Sequence, residues 1–395
     1  MNERWRVLAL MTGAQAGASV VQQALGALSP LLVVAFALTK AQLGVVFTAL
    51  MLGSAVFTAL AGVLTDRWGE RRLLLGSGVI MTGALLAATA VPTYAWLVGS
   101  MALFGAGYAA STPAGGRAIL AWFDRDRGLA MGIRQTGVPI GGTIGAIILP
   151  LIAHAAGLSA AFIVAAVLVS VPTIVAVAFY RELRGGSGPG EPLAAGAPAR
   201  MRELARDPRL IGVVLTCTAL VAVQLAMNAF ITVTAVSVGT TAAVAALTLA
   251  VAQAAAACGR LWWGWASDRL FAGDRLVPLV IVCIVAAGAC AVLATIGRGA
   301  VIELFIAAAV LGASGAGWNG LMAASLTEIG GPARAASALG IGLTVIFGVS
   351  AAAPVAFGAL ADHTSLHLAW AAAGALALVG TVPVLLLRRS ASRMA

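Results

Sequence analysis

Charge is scarce in this sequence: Asp, Glu, Lys and Arg make up only 10% of its 395 residues, while hydrophobic residues make up 61%. A soluble domain normally has about a quarter of its residues charged, because its surface faces water. The mean hydropathy of +1.02 points the same way. This composition excludes a soluble globular domain and indicates a chain that lies largely in lipid.

Cysteine and histidine are also few, with four and three residues. The cysteines fall within apolar stretches and lack the spacing of zinc ligands, so they are interpreted as small core residues. No nucleotide-binding loop, metal-ligand cluster or catalytic-triad spacing occurs in the sequence. We therefore predict no metal, no cofactor and no enzymatic activity.

Apolar stretches of about twenty residues recur along the chain, each long enough to cross a hydrocarbon core of roughly 30 Å. Because lipid cannot satisfy backbone polar groups, runs of Ala, Leu, Val and Gly predict helices rather than strands. The first stretch follows a basic N-terminus but is too long for a signal peptide and lacks an obvious cleavage pattern. The predicted fold is an all-α membrane protein with twelve transmembrane helices. The predicted spans are 8–37, 41–64, 73–91, 94–122, 128–154, 159–180, 208–237, 241–265, 276–296, 300–327, 335–361 and 367–387.

The basic residues set the predicted orientation. Placing the N-terminus inside assigns 22 of the 24 Lys and Arg residues to cytoplasmic segments or helix ends, and leaves Lys40 and Arg298 outside. Topology then accounts for the net charge of +10, so no nucleic-acid partner is predicted. We expect a multi-pass protein of the inner or plasma membrane with both termini in the cytoplasm.

The chain also shows an internal repeat. The polar interval 181–207 is rich in Gly, Pro, Arg and Glu and predicts a cytoplasmic linker, with six spans before it and six after. AMGIRQT (130–136) pairs with ALGIGLT (338–344), and GAGY (105–108) pairs with GAGW (315–318). Further matches in the same order indicate two pseudo-symmetric six-helix bundles. The predicted organisation is a first half 1–182, a linker 183–207 and a second half 208–395.

GVLTDRWGERR (62–72) resembles the loop motif between the second and third helices of the major facilitator superfamily. GWASDRLFAGDR lies at the matching place in the second half, so the resemblance covers the whole chain. It implies a transporter of two parallel halves with its substrate site near the membrane midplane. We expect a functional monomer whose partners are the lipid bilayer and a small-molecule substrate.

The loop motifs are expected to close the cytoplasmic side. Asp66 and Asp268 lie at helix ends where the helix dipole disfavours an anion. The resemblance implies that each meets a helix N-terminus of the opposite half, near Ala335 and Gly128 respectively. Positive-inside topology is the alternative interpretation of the nearby arginines. The predicted gating residues are Gly62, Asp66, Arg67, Gly69, Arg71, Arg72, Arg117, Asp268 and Arg269.

Polar side chains inside the spans are costly in lipid and are therefore candidate site residues. In the first span Gln15, Ser19 and Gln22 or Gln23 share one helix face, and in the seventh span Gln224 and Asn228 do the same. We expect these faces to line a central cavity. Hydrogen bonding between helices without a ligand is the alternative.

An aromatic pair forms a second candidate feature. Tyr108 and Trp318 are equivalent positions of the repeat, and the glycines beside them would let another backbone approach closely. The pair could enclose a small planar ligand or simply fill the core. Asn319 adds an amide next to Trp318.

Arg260 is the predicted main charge partner of the substrate. GRLWWG (259–264) and the Ser-Asp that follows resemble the oxalate/formate and monocarboxylate branch of the superfamily, in which an arginine of the eighth helix binds the substrate carboxylate. The resemblance implies that role for Arg260. A guanidinium remains charged and matches a carboxylate geometrically. Gln253 lies on the same helix face.

Arg134 is a second candidate cation. It lies about 9 Å into the fifth helix, where its side chain could either extend to the interface or serve the substrate or gate. Its equivalent in the second half is Gly342, so packing alone does not require an arginine there. The resembled branch also uses a membrane lysine, whereas the only lysine here is Lys40, in an external loop. The sequence therefore does not decide whether the substrate carries one negative charge or two.

The predicted function is secondary transport of a small organic anion, a mono- or dicarboxylate, by alternating access. No acidic residue lies near the centre of a span, so exchange, facilitated diffusion and coupling through a protonated substrate remain open. TGVPIGG (136–142) resembles the fifth-helix antiporter motif with altered spacing. It supports the alternative of a proton-coupled drug or metabolite exporter. A transport-inactive receptor on the same fold is the third possibility.

Overall fold

The computed structural model describes residues 3–90, 93–123, 127–181, 204 and 206–392. Within helices it leaves aside the side chains of 59, 62–63, 65–67, 112, 120, 127–129, 332–337 and 390–392. Most of the predicted linker 183–207 lies outside the described residues, as do the side chains of Gly62, Asp66 and Arg67. All regular secondary structure in the described part is helical.

The first half begins with a long broken helix and ends with a long kinked one. Its elements are α1 (Glu3–Ala24), a 3-10 turn (Leu25–Leu28), α2 (Ser29–Phe36), α3 (Lys40–Trp68), α4 (Glu70–Ala90), α5 (Tyr94–Tyr108), α6 (Ser111–Trp122) and α7 (Arg127–Phe179). The second half repeats this pattern of long and interrupted helices. Its elements are α8 (Pro208–Ser237), α9 (Ala242–Arg269), α10 (Leu276–Thr295), α11 (Val301–Gly315), α12 (Asn319–Ser350), α13 (Ala353–His363), α14 (Leu366–Val379) and α15 (Thr381–Ser392).

Capping side chains explain where several helices begin. The Asp207 carboxylate accepts a hydrogen bond from the Arg209 backbone N–H at 2.8 Å, and Pro208 occupies the first turn of α8. Ser365 accepts from the Leu368 N–H at 3.1 Å at the start of α14. Such caps satisfy backbone donors that the first helical turn leaves unpaired.

The described helices match the twelve predicted spans once one merged segment and one divided span are taken into account. Among the described residues, ten segments are long and apolar enough to cross a membrane, and one of them, Ala130–Phe179, is 50 residues long. Gly157, at φ +86°, divides that segment into the predicted fifth and sixth spans. The predicted fourth span is divided into α5 and α6, which are 15 and 12 residues long. Counting both features gives twelve spans, and the all-α membrane fold is confirmed.

Glycines bring the second and fourth spans of the first half into backbone contact. A Cβ on Gly53 would lie 2.0 Å from the Ala102 carbonyl oxygen, and one on Gly105 would lie 2.0 Å from that of Leu50. In the second half, a Cβ on Gly259 would lie 2.2 Å from the Ala313 oxygen. The expectation that Gly105 admits a neighbouring backbone is therefore confirmed, and both halves use small residues to pack helices closely.

Contacts group the described residues into two compact units. One contains residues up to 181 together with 241–250, and the other contains 204–240 and residues from 251 onward. Both units expose large apolar side chains to the surroundings, for example Val34, 82% exposed, and Ile302, 74% exposed. Exposed apolar surface of this kind suits a lipid environment and not water. The boundaries 1–182, 183–207 and 208–395 of the repeat stay a prediction.

Candidate functional site

A stripe of glycines on α7 determines what faces α1. Gly137, Gly141 and Gly145 recur every four residues and so lie on one helix face. A Cβ on them would lie 2.7 Å from the Thr12 carbonyl oxygen, 2.0 Å from that of Ala16 and 2.7 Å from the Ala24 side chain. The stripe therefore permits close backbone packing of α7 on α1. Arg134 precedes Gly137 by three residues, which places it on the same face.

Arg134 is held against α1 by two hydrogen bonds. Its Nη2 donates to Gln15 Oε1 at 2.6 Å and to the Ser111 carbonyl oxygen at 2.8 Å. The Arg134 side chain is only 1% exposed, so it does not extend to the membrane surface in this structure. The interpretation of Arg134 as an interfacial arginine does not describe this arrangement.

A glycine on α6 makes room for this guanidinium. A Cβ on Gly115 would lie 2.6 Å from Arg134 Nε and 2.7 Å from Nη2, distances that carbon atoms do not adopt. The neighbouring Gly116 has no such constraint, since a Cβ there would meet only Met131 Cε at 3.7 Å. A Cβ at position 115 would therefore force the Arg134 guanidinium to move from the place it occupies.

The charge of Arg134 is not balanced within the described part of the chain. No described carboxylate forms an ion pair with it. Its Nε and Nη1 are buried and have no hydrogen-bond partner among the described residues. Buried cations are normally paired, because removing an ion from water costs several kcal/mol or more. Arg134 thus offers an enclosed positive charge with unused donors.

Gln15 connects Arg134 to two hydroxyl groups. Its Nε2 donates to Ser19 Oγ at 3.2 Å and to Tyr108 Oη at 3.3 Å. Four residues predicted for the site, from the first, fourth and fifth spans, therefore form one polar cluster in the first half. Gln22 lies one to two turns further along α1, where its Oε1 accepts from Gln23 Nε2 at 2.5 Å.

The second half has a different polar arrangement. Gln253 Nε2 donates to Asn228 Oδ1 at 3.0 Å, and both side chains are buried. Gln224, one turn before Asn228, is half-buried. These contacts join the predicted faces of the seventh and eighth spans.

Arg260 and Asn319 share one acceptor. Arg260 Nε donates to the Ala316 carbonyl oxygen at 3.3 Å, and Asn319 Nδ2 donates to the same oxygen at 3.1 Å. Arg260 is half-buried, in contrast to Arg134. Trp318 is fully buried, and its indole N–H donates to the Gly315 carbonyl oxygen at 2.8 Å. Trp318 therefore packs in the core in this structure, whereas Tyr108 belongs to the polar cluster of the first half.

At the loop of the first half, Arg117 pairs with Glu70. Arg117 Nε lies 2.9 Å from Glu70 Oε1, and the two side chains are 24% and 5% exposed. Glu70 was not among the predicted gating residues, and the Asp66 side chain lies outside the described ones. Gly69 has φ +81°, as a tight turn between α3 and α4 requires. Arg71 and Arg72 are exposed.

The loop of the second half is organised around Arg275. Its Nη1 lies 2.5 Å from Asp268 Oδ1 and its Nε lies 3.1 Å from Glu328 Oε1. Partial burial alone would lower the pKa of Arg275, but hydrogen bonds to Asp268 and Glu328 outweigh burial and raise the pKa. Arg269, a predicted gating residue of this loop, is exposed.

Sequence reasoning missed Gly115, Ser111, Glu70 and Arg275. A comparison of the two halves contains a signal for Gly115. Measured from GAGY and GAGW, Gly115 corresponds to Ser325, while Arg134 corresponds to Gly342. The first half has a glycine opposite an arginine where the second half has a serine and a glycine. Nothing in the sequence identified Ser111, which contributes a backbone carbonyl.

These features define a class of protein: a helical membrane transporter built from two repeated six-span halves. A model of the Major Facilitator Superfamily matches residues 11–346. The chain belongs to the major facilitator superfamily and is a secondary transporter, not an enzyme.

Relatives agree with this assignment. An uncharacterised MFS-type transporter of Mycobacterium tuberculosis (strain CDC 1551 / Oshkosh) is 31% identical over 399 residues, covering 98% of this chain and 86% of that protein. The 3-(3-hydroxy-phenyl)propionate transporter of Escherichia coli K12 is 36% identical over 121 residues, 28% of each chain. A probable chloroplastic anion transporter of Oryza sativa subsp. japonica is 29% identical over 133 residues, covering 33% of this chain and 26% of that protein.

Solved structures show the same fold. A bacterial homologue of the human lysosomal transporter Spinster has a TM-score of 0.79 at 15% identity, covering 98% of this chain and 96% of that one. The nucleoside transporter NupG has a TM-score of 0.76 at 15% identity, covering 98% of both chains.

Proposed function

We propose that this transporter carries a small organic anion, a mono- or dicarboxylate, and that Arg134 binds its carboxylate. The observation that carries the proposal is the buried guanidinium of Arg134 with two nitrogen atoms unpartnered and no described counter-ion. A substrate carboxylate would supply both the missing charge and the missing acceptors. Charge-assisted hydrogen bonds of this kind are roughly twice as strong as neutral ones.

The neighbours of Arg134 support an orienting role. Gln15 and the Ser111 carbonyl hold Nη2, so the guanidinium is positioned before a ligand arrives. Tyr108, joined to Gln15, adds a hydroxyl that can donate to a second oxygen of the substrate. Positioning a binding group in advance lowers the entropic cost of binding.

Arg260 is the proposed second cation. Its resemblance to the eighth-helix arginine of the oxalate/formate and monocarboxylate branch supports this role. Asn319, Gln253, Asn228, Gln224 and Gln22 would add amide groups, and Trp318 would support the site from the core. Two relatives whose names specify a propionate and an anion, each matching about a third of this chain or less, favour the same substrate class.

Transport would follow the alternating-access mode of the superfamily. Arg134 is enclosed in this structure, so a substrate reaches it only when the helices around it rearrange. We propose that both termini are cytoplasmic, that the protein lies in the inner or plasma membrane, and that the loops carrying Asp66 and Asp268 form the gate. Gly137 and Gly141 of TGVPIGG pack against α1, a structural role that does not favour the exporter alternative.

Counterflow in proteoliposomes tests the proposal. Four proteins are compared: wild type, Arg134→Gln, Arg260→Gln and the exposed-loop control Arg298→Gln. Proteoliposomes containing each protein are loaded with unlabelled mono- and dicarboxylates and then exposed to labelled ones. We expect saturable exchange of at least one carboxylate in wild type and in the control. Arg134→Gln should lose at least about tenfold in apparent affinity, the equivalent of one 1.4 kcal/mol interaction.

Two results would contradict the proposal. One is exchange of a carboxylate with equal affinity in wild type and in a folded Arg134→Gln variant. The other is absence of carboxylate exchange in wild type, combined with movement of neutral or cationic compounds driven by a proton gradient, which would favour the exporter.

A further inference from the structure

We infer that α1 and the final turns of α7 form a binding groove for an anionic phospholipid. A cavity of about 320 Å³ lies between these helices, lined by Arg6, Ala9, Leu10, Gly13, Pro172 and Val175. None of these lining residues belongs to the Arg134 cluster, and the inference does not depend on the proposed substrate.

Two glycines on α1 explain why a groove exists here. A Cβ on Gly17 would lie 2.8 Å from the Leu168 carbonyl oxygen and 3.1 Å from Pro172 Cγ, so the helices touch at this point. A Cβ on Gly13, one turn earlier, would meet nothing within 4 Å. The helices are therefore in contact at Gly17 and leave open space from Gly13 towards Arg6.

Pro172 contributes to the contact at Gly17. A proline within a helix cannot donate to the carbonyl four residues earlier, which here belongs to Leu168. That oxygen lies against Gly17, where the absence of a side chain admits it. The contact and the opening next to it therefore follow from Gly13, Gly17 and Pro172 together.

The surroundings of the groove determine its occupant. The protein spans a membrane, and Ala9, Val175 and Phe179 beside the groove are exposed. Open apolar space that faces the bilayer is filled by lipid, because a void would forfeit dispersion contacts. The ligand is therefore an acyl chain of the surrounding bilayer.

Charge at one end of the groove selects the headgroup. A second cavity of about 220 Å³ shares Arg6 with the first and is also lined by Glu3, Trp122 and Arg181. The Arg6 guanidinium lies over the Phe179 ring at 5.5 Å from its centroid, which holds it at the mouth of the groove. Two cations against one carboxylate leave a net positive charge beside an apolar channel. This pattern complements a lipid with a negative phosphate headgroup.

Native mass spectrometry of the purified full chain tests the inference, with phosphatidylglycerol and phosphatidylcholine titrated in parallel. The variants are Arg6→Gln, which removes the headgroup contact, and Gly13→Phe, which fills the groove. The controls are Arg209→Gln, another exposed arginine near the end of a span, and Gly83→Phe, an exposed glycine where a Cβ also meets nothing within 4 Å.

We expect wild type to retain one phosphatidylglycerol about fivefold more tightly than phosphatidylcholine, as one arginine near an anionic lipid provides. Arg6→Gln should abolish that preference, Gly13→Phe should abolish retention of either lipid at this site, and the two controls should behave as wild type. Equal retention of both lipids by wild type, or an unchanged preference in both Arg6→Gln and Gly13→Phe, would overturn the inference. Because a Cβ at position 13 meets nothing within 4 Å, Gly13→Phe remains informative even where Arg6→Gln fails to fold.

Discussion

Gly115 lies directly against the guanidinium of Arg134, at a distance that leaves no room for even one methyl group. The two residues come from α6 and α7 and are 19 positions apart in the sequence. Their contact makes Arg134 part of a built site and not an isolated cation. It also yields a test that removes no functional group from the protein.

Gly115→Ala should displace Arg134 from its hydrogen bonds to Gln15 and Ser111. We expect a loss of carboxylate counterflow of at least about tenfold, since one charge-assisted interaction corresponds to about 1.5–3 kcal/mol. Gly116→Ala is the matched control, because a Cβ there makes only an ordinary contact. Full activity in Gly115→Ala would show that transport does not depend on where Arg134 lies.

Gln15→Glu should separate stability from function. A carboxylate at position 15 would provide a counter-ion, which Arg134 does not have among the described side chains, so we expect thermal stability in detergent to rise by the equivalent of about 1–3 kcal/mol. The same ion pair would occupy the proposed anion site, so carboxylate affinity should fall. Gln15→Leu should instead lower both quantities. A Gln15→Glu variant with normal carboxylate affinity would exclude Arg134 as the substrate's charge partner.

Gly141→Ala should disrupt the crossing of α1 and α7. The added Cβ would lie 2.0 Å from the Ala16 carbonyl oxygen, and overpacking of this kind costs about 1–3 kcal/mol. Gly132→Ala, on an exposed position of the same helix with nothing within 4 Å, should leave the melting temperature equal or slightly higher. Equal melting temperatures for the two variants would contradict the close packing described above.

The ion pairs of the two loops have opposite polarity. Glu70 at the start of α4 pairs with Arg117 of the fourth span, whereas Arg275 at the start of α10 pairs with Glu328 of the tenth. Arg117 and Glu328 lie nine and ten residues after Tyr108 and Trp318, so the pairs occupy places of the repeat that differ by one residue. The contact thus has one polarity in the first half and the reverse polarity in the second.

The exchanged double variant Glu70→Arg with Arg117→Glu should therefore recover stability that each single variant loses. We expect a coupling free energy of about 0.5–3 kcal/mol from a double-mutant cycle of melting temperatures. Additive losses in the double variant would show that the contact between these two side chains is energetically silent. In that case the reversed Arg275–Glu328 pair of the second half would say nothing about the stability of the Glu70–Arg117 contact.

The fold could be predicted from the sequence because its main determinant is local. The length and apolarity of each stretch establish a span. The structure adds that Gly157 and Gly331, both at positive φ, lie between predicted spans. The candidate site could be predicted only in part. Gln15, Tyr108 and Arg134 were each recognisable as polar groups in apolar spans, but their mutual contact was not. Their positions depend on how α1, α5, α6 and α7 cross.

By itself the sequence determined that this protein spans a membrane in twelve helices, that it consists of two related halves, and that polar groups are concentrated at few positions within the spans. These properties follow from composition and spacing, since lipid imposes the same demand on every segment. The tertiary structure alone decided which arginine is enclosed and which is half-buried, and which partners Arg117 and Asp268 have. The physical reason is that glycine–backbone contacts determine helix crossings, and those crossings bring together side chains that are far apart in the chain.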